Sequence, residues 1–73
     1  RHAERGPDLF GQLTPQQQRI ARLAASGLTN REIGERLFLS PRTISTHLYA
    51  IFPVLQITAR AQLHEVVPAE GGG

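Results

Sequence analysis

Thr29-Asn30-Arg31-Glu32-Ile33-Gly34-Glu35-Arg36-Leu37-Phe38-Leu39-Ser40-Pro41-Arg42-Thr43-Ile44 carries two helix starts separated by one short helix. Thr29, with Glu32 three residues on, has the form of a capping box, in which the hydroxyl accepts from the N3 amide and the carboxylate reaches back to the cap amide. Leu28 before the cap and Ile33 at N4 are spaced to close over it as a hydrophobic staple. Ser40-Pro41 supplies a second cap and a first-turn proline, with Leu39 and Ile44 as a second staple. The spacing predicts a helix over 30–37 and another from 41 onward, joined by Phe38, Leu39 and Ser40 alone. So short a connection joins two helices at a steep angle, which is the helix-turn-helix spacing. Gly34 costs about 1 kcal/mol relative to alanine inside a helix, and it marks a point where another segment crosses.

Thr14-Pro15-Gln16-Gln17 repeats the start signal upstream and predicts a first helix over 15–26. Ile20, Leu23 and Ala24 give it an apolar face, and Gly27 can take the left-handed conformation that stops it. Residues 1–12 mix charges with Gly6, Pro7 and Gly11 and read as a linker or arm, with Leu9 and Phe10 able to dock. Downstream, Pro53 removes a helical hydrogen bond, so the third helix is expected over 41–53, kinked or ended there. Thr58 is the expected cap of a fourth helix over 59–67, with an apolar stripe of Leu63, Val66 and Val67 beside exposed Arg60, Gln62 and His64. Residues 68–73 read as a flexible tail. The expected fold is all-α, a four-helix bundle over 13–67.

The chain has 73 residues, room for one domain and one small core, which argues against a large catalytic cleft. It has no cysteine, so no disulfide framework, and no apolar run long enough to span a bilayer. His2, His47 and His64 lack metal-ligand spacing, and Gly71 to Gly73 is a terminal run, not a phosphate loop. No catalytic residue, metal or cofactor is expected. The chain lacks a starting methionine and a signal pattern at Arg1-His2-Ala3-Glu4, and reads as a soluble, cytoplasmic piece of something longer. Its net charge is +2, and all 8 basic residues are arginine. A G+C-rich genome explains that bias more readily than DNA contact does, so composition alone identifies no nucleic-acid binder.

The third helix has two faces. Ile44, Leu48, Ile51 and Leu55 recur at helical spacing and form a seam for the core. Arg42, Ser45, Thr46 and Tyr49 form a polar stripe on the opposite side. An arginine forks onto guanine, hydroxyls donate or accept, and a threonine methyl meets that of thymine, so the stripe suits base edges in a major groove. On most helices such a stripe is merely the solvated face; its place directly after a three-residue turn favours DNA. Thr29, Asn30 and Arg31, with Thr43 and His47, are the candidate phosphate contacts, because helix-start amides and hydroxyls bind oxyanions. Each taken alone could equally be a capping or solvent residue. Arg60 could bind phosphate or Glu65.

Leu13-Thr14-Pro15, Gly27-Leu28-Thr29-Asn30-Arg31-Glu32-Ile33 and Phe38-Leu39-Ser40-Pro41-Arg42-Thr43-Ile44-Ser45-Thr46-His47-Leu48 together resemble the LuxR-type (GerE-like) helix-turn-helix domain of bacterial transcription regulators. The resemblance covers 13–67. It implies a four-helix domain for double-stranded DNA, with the third helix reading bases through Ser45, Thr46 and Tyr49. It also implies a homodimer seam on the last helix near Leu63, Val66 and Val67, and an upstream signal-receiving domain. Phe-Pro after the recognition helix leans toward the subgroup with large ATP-binding sensor regions. The sequence departs from many members in lacking a basic residue at Ser45 and near Ala50, and in carrying Val54-Leu55-Gln56 where basic-Leu-Gly is common. So little charge predicts weak binding by one domain alone. The rival is a protein-interaction module that docks a sigma-factor-like partner of RNA polymerase.

Overall fold

The computed structural model describes residues 9–67. Of the linker or arm expected over 1–12, residues 1–8 lie outside the described residues, as does the tail over 68–73, while its last residues form part of the folded unit. A short 3-10 turn, Phe10–Gln12, precedes four helices: α1 (Pro15–Ala25), α2 (Asn30–Leu37), α3 (Pro41–Leu55) and α4 (Leu63–Val66). Among the described residues there is no strand, and the all-α, four-helix class expected from the sequence holds.

The starts of α1, α2 and α3 are those the sequence specifies. Thr14 Oγ1 accepts from the Gln17 amide at 3.1 Å, and Gln17 Oε1 accepts from the Thr14 amide at 3.0 Å. The pair at α2 is equivalent, with Glu32 N donating to Thr29 Oγ1 at 3.1 Å and Thr29 N to Glu32 Oε1 at 2.8 Å. At α3 the Ser40 hydroxyl accepts from the Thr43 amide at 3.1 Å. Each box satisfies amides that a helix start otherwise leaves free.

The helix ends were less legible. α1, α2 and α3 each close with an amide reaching back five residues, Leu28 to Leu23, Leu39 to Gly34 and Ile57 to Phe52, which is the Schellman arrangement. It needs a left-handed residue, and only α1 uses glycine for it, Gly27 at φ 104°. Phe38 and Gln56 take the conformation at φ 61° and 60°. A side chain there costs roughly 1–2 kcal/mol, offset by the closing hydrogen bonds and by burial of the next residue.

Two boundaries differ from expectation. α3 does not end at Pro53 but continues to Leu55. Pro53 lies on the exposed side, while Ile51 and Leu55 around it are buried and hold the last turn against the core. The fourth helix is shorter than 59–67. Thr58 does not cap it; Gln62 Oε1 instead accepts from the Thr58 and Ala59 amides, both at 2.9 Å. That loop-back tightens the first turn into a 3-10 turn, Arg60–Gln62, before α4 begins.

The core joins all four helices. Ile20, Ala21 and Ala24 of α1 meet Ile33 of α2 and Ile44, Leu48, Ile51 and Leu55 of α3, with Ile57, Leu63 and Val67 closing it from the C-terminal side. Phe10 and Leu13 are also buried. Gln18 Nε2 donates to both their carbonyl oxygens at 3.2 Å, and the Arg22 guanidinium lies 5.0 Å from the Phe10 ring centroid. The docking suggested for Leu9 and Phe10 is thus seen.

Gly34 sets the angle between α2 and α3. A Cβ there would lie 2.3 Å from the Leu39 carbonyl oxygen, a backbone atom that cannot turn away. Gly34→Ala is therefore expected to destabilise the domain by about 1–3 kcal/mol or more, read as a lower midpoint in thermal unfolding. Gln56→Gly, which relieves a left-handed side chain, is expected to raise the midpoint by the equivalent of about 0.5–1 kcal/mol.

Candidate nucleic-acid interface

α3 separates its two stripes as its spacing requires. Ile44 and Ile51 are fully buried and Leu48 and Leu55 nearly so, while Arg42, Thr46 and Tyr49 stand exposed on the opposite side. Tyr49 is 75% exposed, the state of a large ring held ready for contact rather than packed. Thr46 Oγ1 donates to the Arg42 carbonyl at 3.1 Å, which leaves the hydroxyl's lone pairs free to accept. Ser45 is half-buried, so it offers less surface than the other three. Arg42 is the single Lys or Arg between Ser40 and Leu55, so the stripe is one cation among neutral hydrogen-bonding groups.

The candidate phosphate contacts divide by how committed their polar groups are. The Thr29 hydroxyl already accepts from the Glu32 amide, and the Thr43 hydroxyl lies 2.9 Å from that of Ser40. Each keeps hydrogen-bonding capacity for an outside partner. His47 is half-buried on α3. Arg31 Nε lies 3.8 Å from Glu35 Oε2 with both side chains mostly exposed, so the pair is weak. Asn30 Oδ1 accepts from Arg60 Nη1, and the Leu28 carbonyl accepts from Arg60 Nη2. Arg60 is thus bonded to Asn30 and Leu28 rather than to Glu65, one of the two roles the sequence left to it, and ties the segment before α4 to the start of α2. That long-range contact had no signal in local spacing.

The Thr29 backbone amide and hydroxyl, with Arg36 adding a weaker attraction, hold the Glu32 carboxyl below the usual carboxylate range. Its charge is thus turned inward to the cap. On the expected dimer stripe, Leu63 and Val67 are buried in this chain's own core, and Val66 alone, 37% exposed, presents apolar surface. Sequence periodicity had grouped the three because it cannot tell an inner seam from an outer one. Phe38, 93% exposed in the turn between α2 and α3, was not singled out. Among the described residues no group of three His, Cys, Asp or Glu could hold a metal, and no helix is long and apolar enough to cross a membrane.

Residues 11–67 match the profile of the bacterial regulatory proteins of the luxR family. An HTH-type transcriptional regulator of Mycobacterium bovis, Mb0914c, is 40% identical over 62 residues, which are 85% of this chain and 7% of that protein. The two-component response regulator PprB of Pseudomonas aeruginosa is 36% identical over 55 residues, 75% of this chain and 20% of its own length. The transcriptional regulatory protein LiaR of Bacillus subtilis is 42% identical over 50 residues, 68% and 24%. The chain thus spans a quarter or less of each of these relatives. No solved structure matches.

Acid stability provides a check on the α2 cap. Because the folded carboxyl of Glu32 is lowered, its contribution is complete above the ordinary carboxylate pKa and is lost as pH falls through the lowered value. Glu32→Gln, which can still bond the Thr29 amide, is expected to flatten that part of the acid limb in thermal unfolding followed from neutral pH downward. An acid limb identical to that of the parent chain contradicts the assignment.

Proposed function

The chain belongs to the luxR family of bacterial regulatory proteins and is a DNA-binding domain of transcription regulators, and from that premise we propose that α3 enters the major groove of its operator. Arg42, Ser45, Thr46 and Tyr49 contact bases; Thr29, Asn30, Arg31, Thr43 and His47 contact phosphates on either side. The observation that carries this reading is the clean division of α3, whose apolar seam is spent on the core while Arg42, Thr46 and Tyr49 remain exposed just beyond the turn. Phosphate contacts fix register and base contacts choose sequence, and the two sets fall on adjacent helices.

The proposed parent is a longer cytoplasmic regulator, not an enzyme in this region, that carries this domain as its C-terminal output. The relative in which 62 aligned residues make up only 7% of the protein supports a large parent, as in the subgroup with ATP-binding sensor regions. Two copies bind a two-fold operator, with Val66 and its exposed neighbours at the seam, and RNA polymerase is the further partner. With net charge of only +2, one copy gains little from counterion release, and the second copy contributes the rest.

The test is the salt dependence of binding, followed by selection of operators from a random pool with the full-length regulator. Log affinity for DNA is expected to fall linearly with log salt, whereas a module that docks protein through the same helix would bind DNA with a flat response or not at all. On a selected operator, Arg42→Ala is expected to cost about 1–3 kcal/mol and relax specificity at one base pair. Its thermal midpoint should stay that of the parent, because Arg42 lies off the apolar seam. A selected consensus without two-fold symmetry would overturn the dimer.

A further inference from the structure

Arg60 is a cation placed where helix electrostatics disfavours it. Its guanidinium bonds Asn30 Oδ1 and the Leu28 carbonyl oxygen, across separations of 30 and 32 residues, and so lies beside the N-terminus of α2. A helix start carries a partial positive charge from its free amides, so helix electrostatics does not account for a cation there. Its consequence concerns the amide of Asn30. A side-chain amide is planar and presents oxygen on one side and NH2 on the other. Left free, it turns over readily, and its oxygen would repel a phosphate. With Oδ1 committed to Arg60, the NH2 group is held on the opposite side, and among the described residues no protein acceptor takes its hydrogens.

We propose that Arg60 is a positioning residue for DNA binding: it locks the Asn30 amide with its donors outward, toward a backbone phosphate, and joins the segment before α4 to the helix start that meets DNA. The inference rests on the DNA reading above. It makes Arg60 act through Asn30 rather than on DNA itself, in a geometry that needs the planar fork of arginine, two donors aimed at two oxygens at once.

The experiment is a double-mutant cycle on Arg60→Met and Asn30→Ala, with fluorescence anisotropy on a mixed-sequence duplex of roughly 30 base pairs across a salt series. Each single change is expected to weaken binding about threefold to tenfold, and the double variant to be no weaker than the worse single variant. The slope of log affinity against log salt is expected to stay near that of the parent, because the lost contact is neutral. A slope reduced by about 0.9 in Arg60→Met would place the guanidinium on a phosphate and overturn the inference. So would losses that multiply in the double variant, the pattern of two residues acting independently.

Should Arg60→Met fail to fold, Asn30→Asp keeps the question open to test. An aspartate keeps an oxygen for Arg60 and suits a helix start, so the thermal midpoint should hold or rise. It also points a second oxygen outward, and binding should fall at least tenfold. Retained binding by folded Asn30→Asp overturns the inference. A parent chain whose binding ignores salt would instead overturn the DNA reading, and the inference with it.

Discussion

The backbone of Leu39 passes over Gly34 closer than any side chain would permit, and the rest of the domain depends on that crossing. The Leu39 amide bonds the Gly34 carbonyl at 2.9 Å, while a Cβ on Gly34 would meet the Leu39 carbonyl oxygen at 2.3 Å. The same two residues are thus pulled together by a hydrogen bond and admitted by a missing methyl group. Because the turn is pinned there, Ser40 can cap α3 immediately, and Ile44 reaches the core in the first turn of the helix.

Two of the three left-handed helix ends carry full side chains, Phe38 and Gln56. Each is followed by an apolar residue that packs inward, Leu39 against the core and Ile57 within it. Burial of the following residue and the closing hydrogen bonds hold the conformation against its local cost. The Phe38 ring is left almost wholly in water beside Pro41 and the start of α3. Nothing in the fold of a single chain uses that ring.

In the proposed DNA reading, recognition rests on orientation more than on charge. Glu32 turns its carboxylate into a cap, Arg31 is loosely paired with Glu35, and Arg42 is the single cation on the reading helix. What remains is a set of hydroxyls, amides and one exposed ring, whose value to a nucleic acid depends on being held in place. The caps of α2 and α3 hold the hydroxyls, and the Arg60 fork holds the amide. The structural bonds and the surface donors belong to the same side chains.

The amino-acid sequence by itself determined the starts of the first three helices, the three-residue turn and the two faces of α3. All of these follow from contacts within four residues, which spacing records directly: Thr29 with Glu32, Ser40 with Thr43, Ile44 with Leu48. Only the tertiary structure decided that α3 runs past Pro53, that Gln62 rather than Thr58 organises the last turn, and that Leu63 and Val67 face inward while Val66 faces out. It also decided that Arg60 belongs to Asn30. Those outcomes turn on which distant backbone or core atom lies opposite a residue, and periodicity along one helix holds no information about what packs across from it.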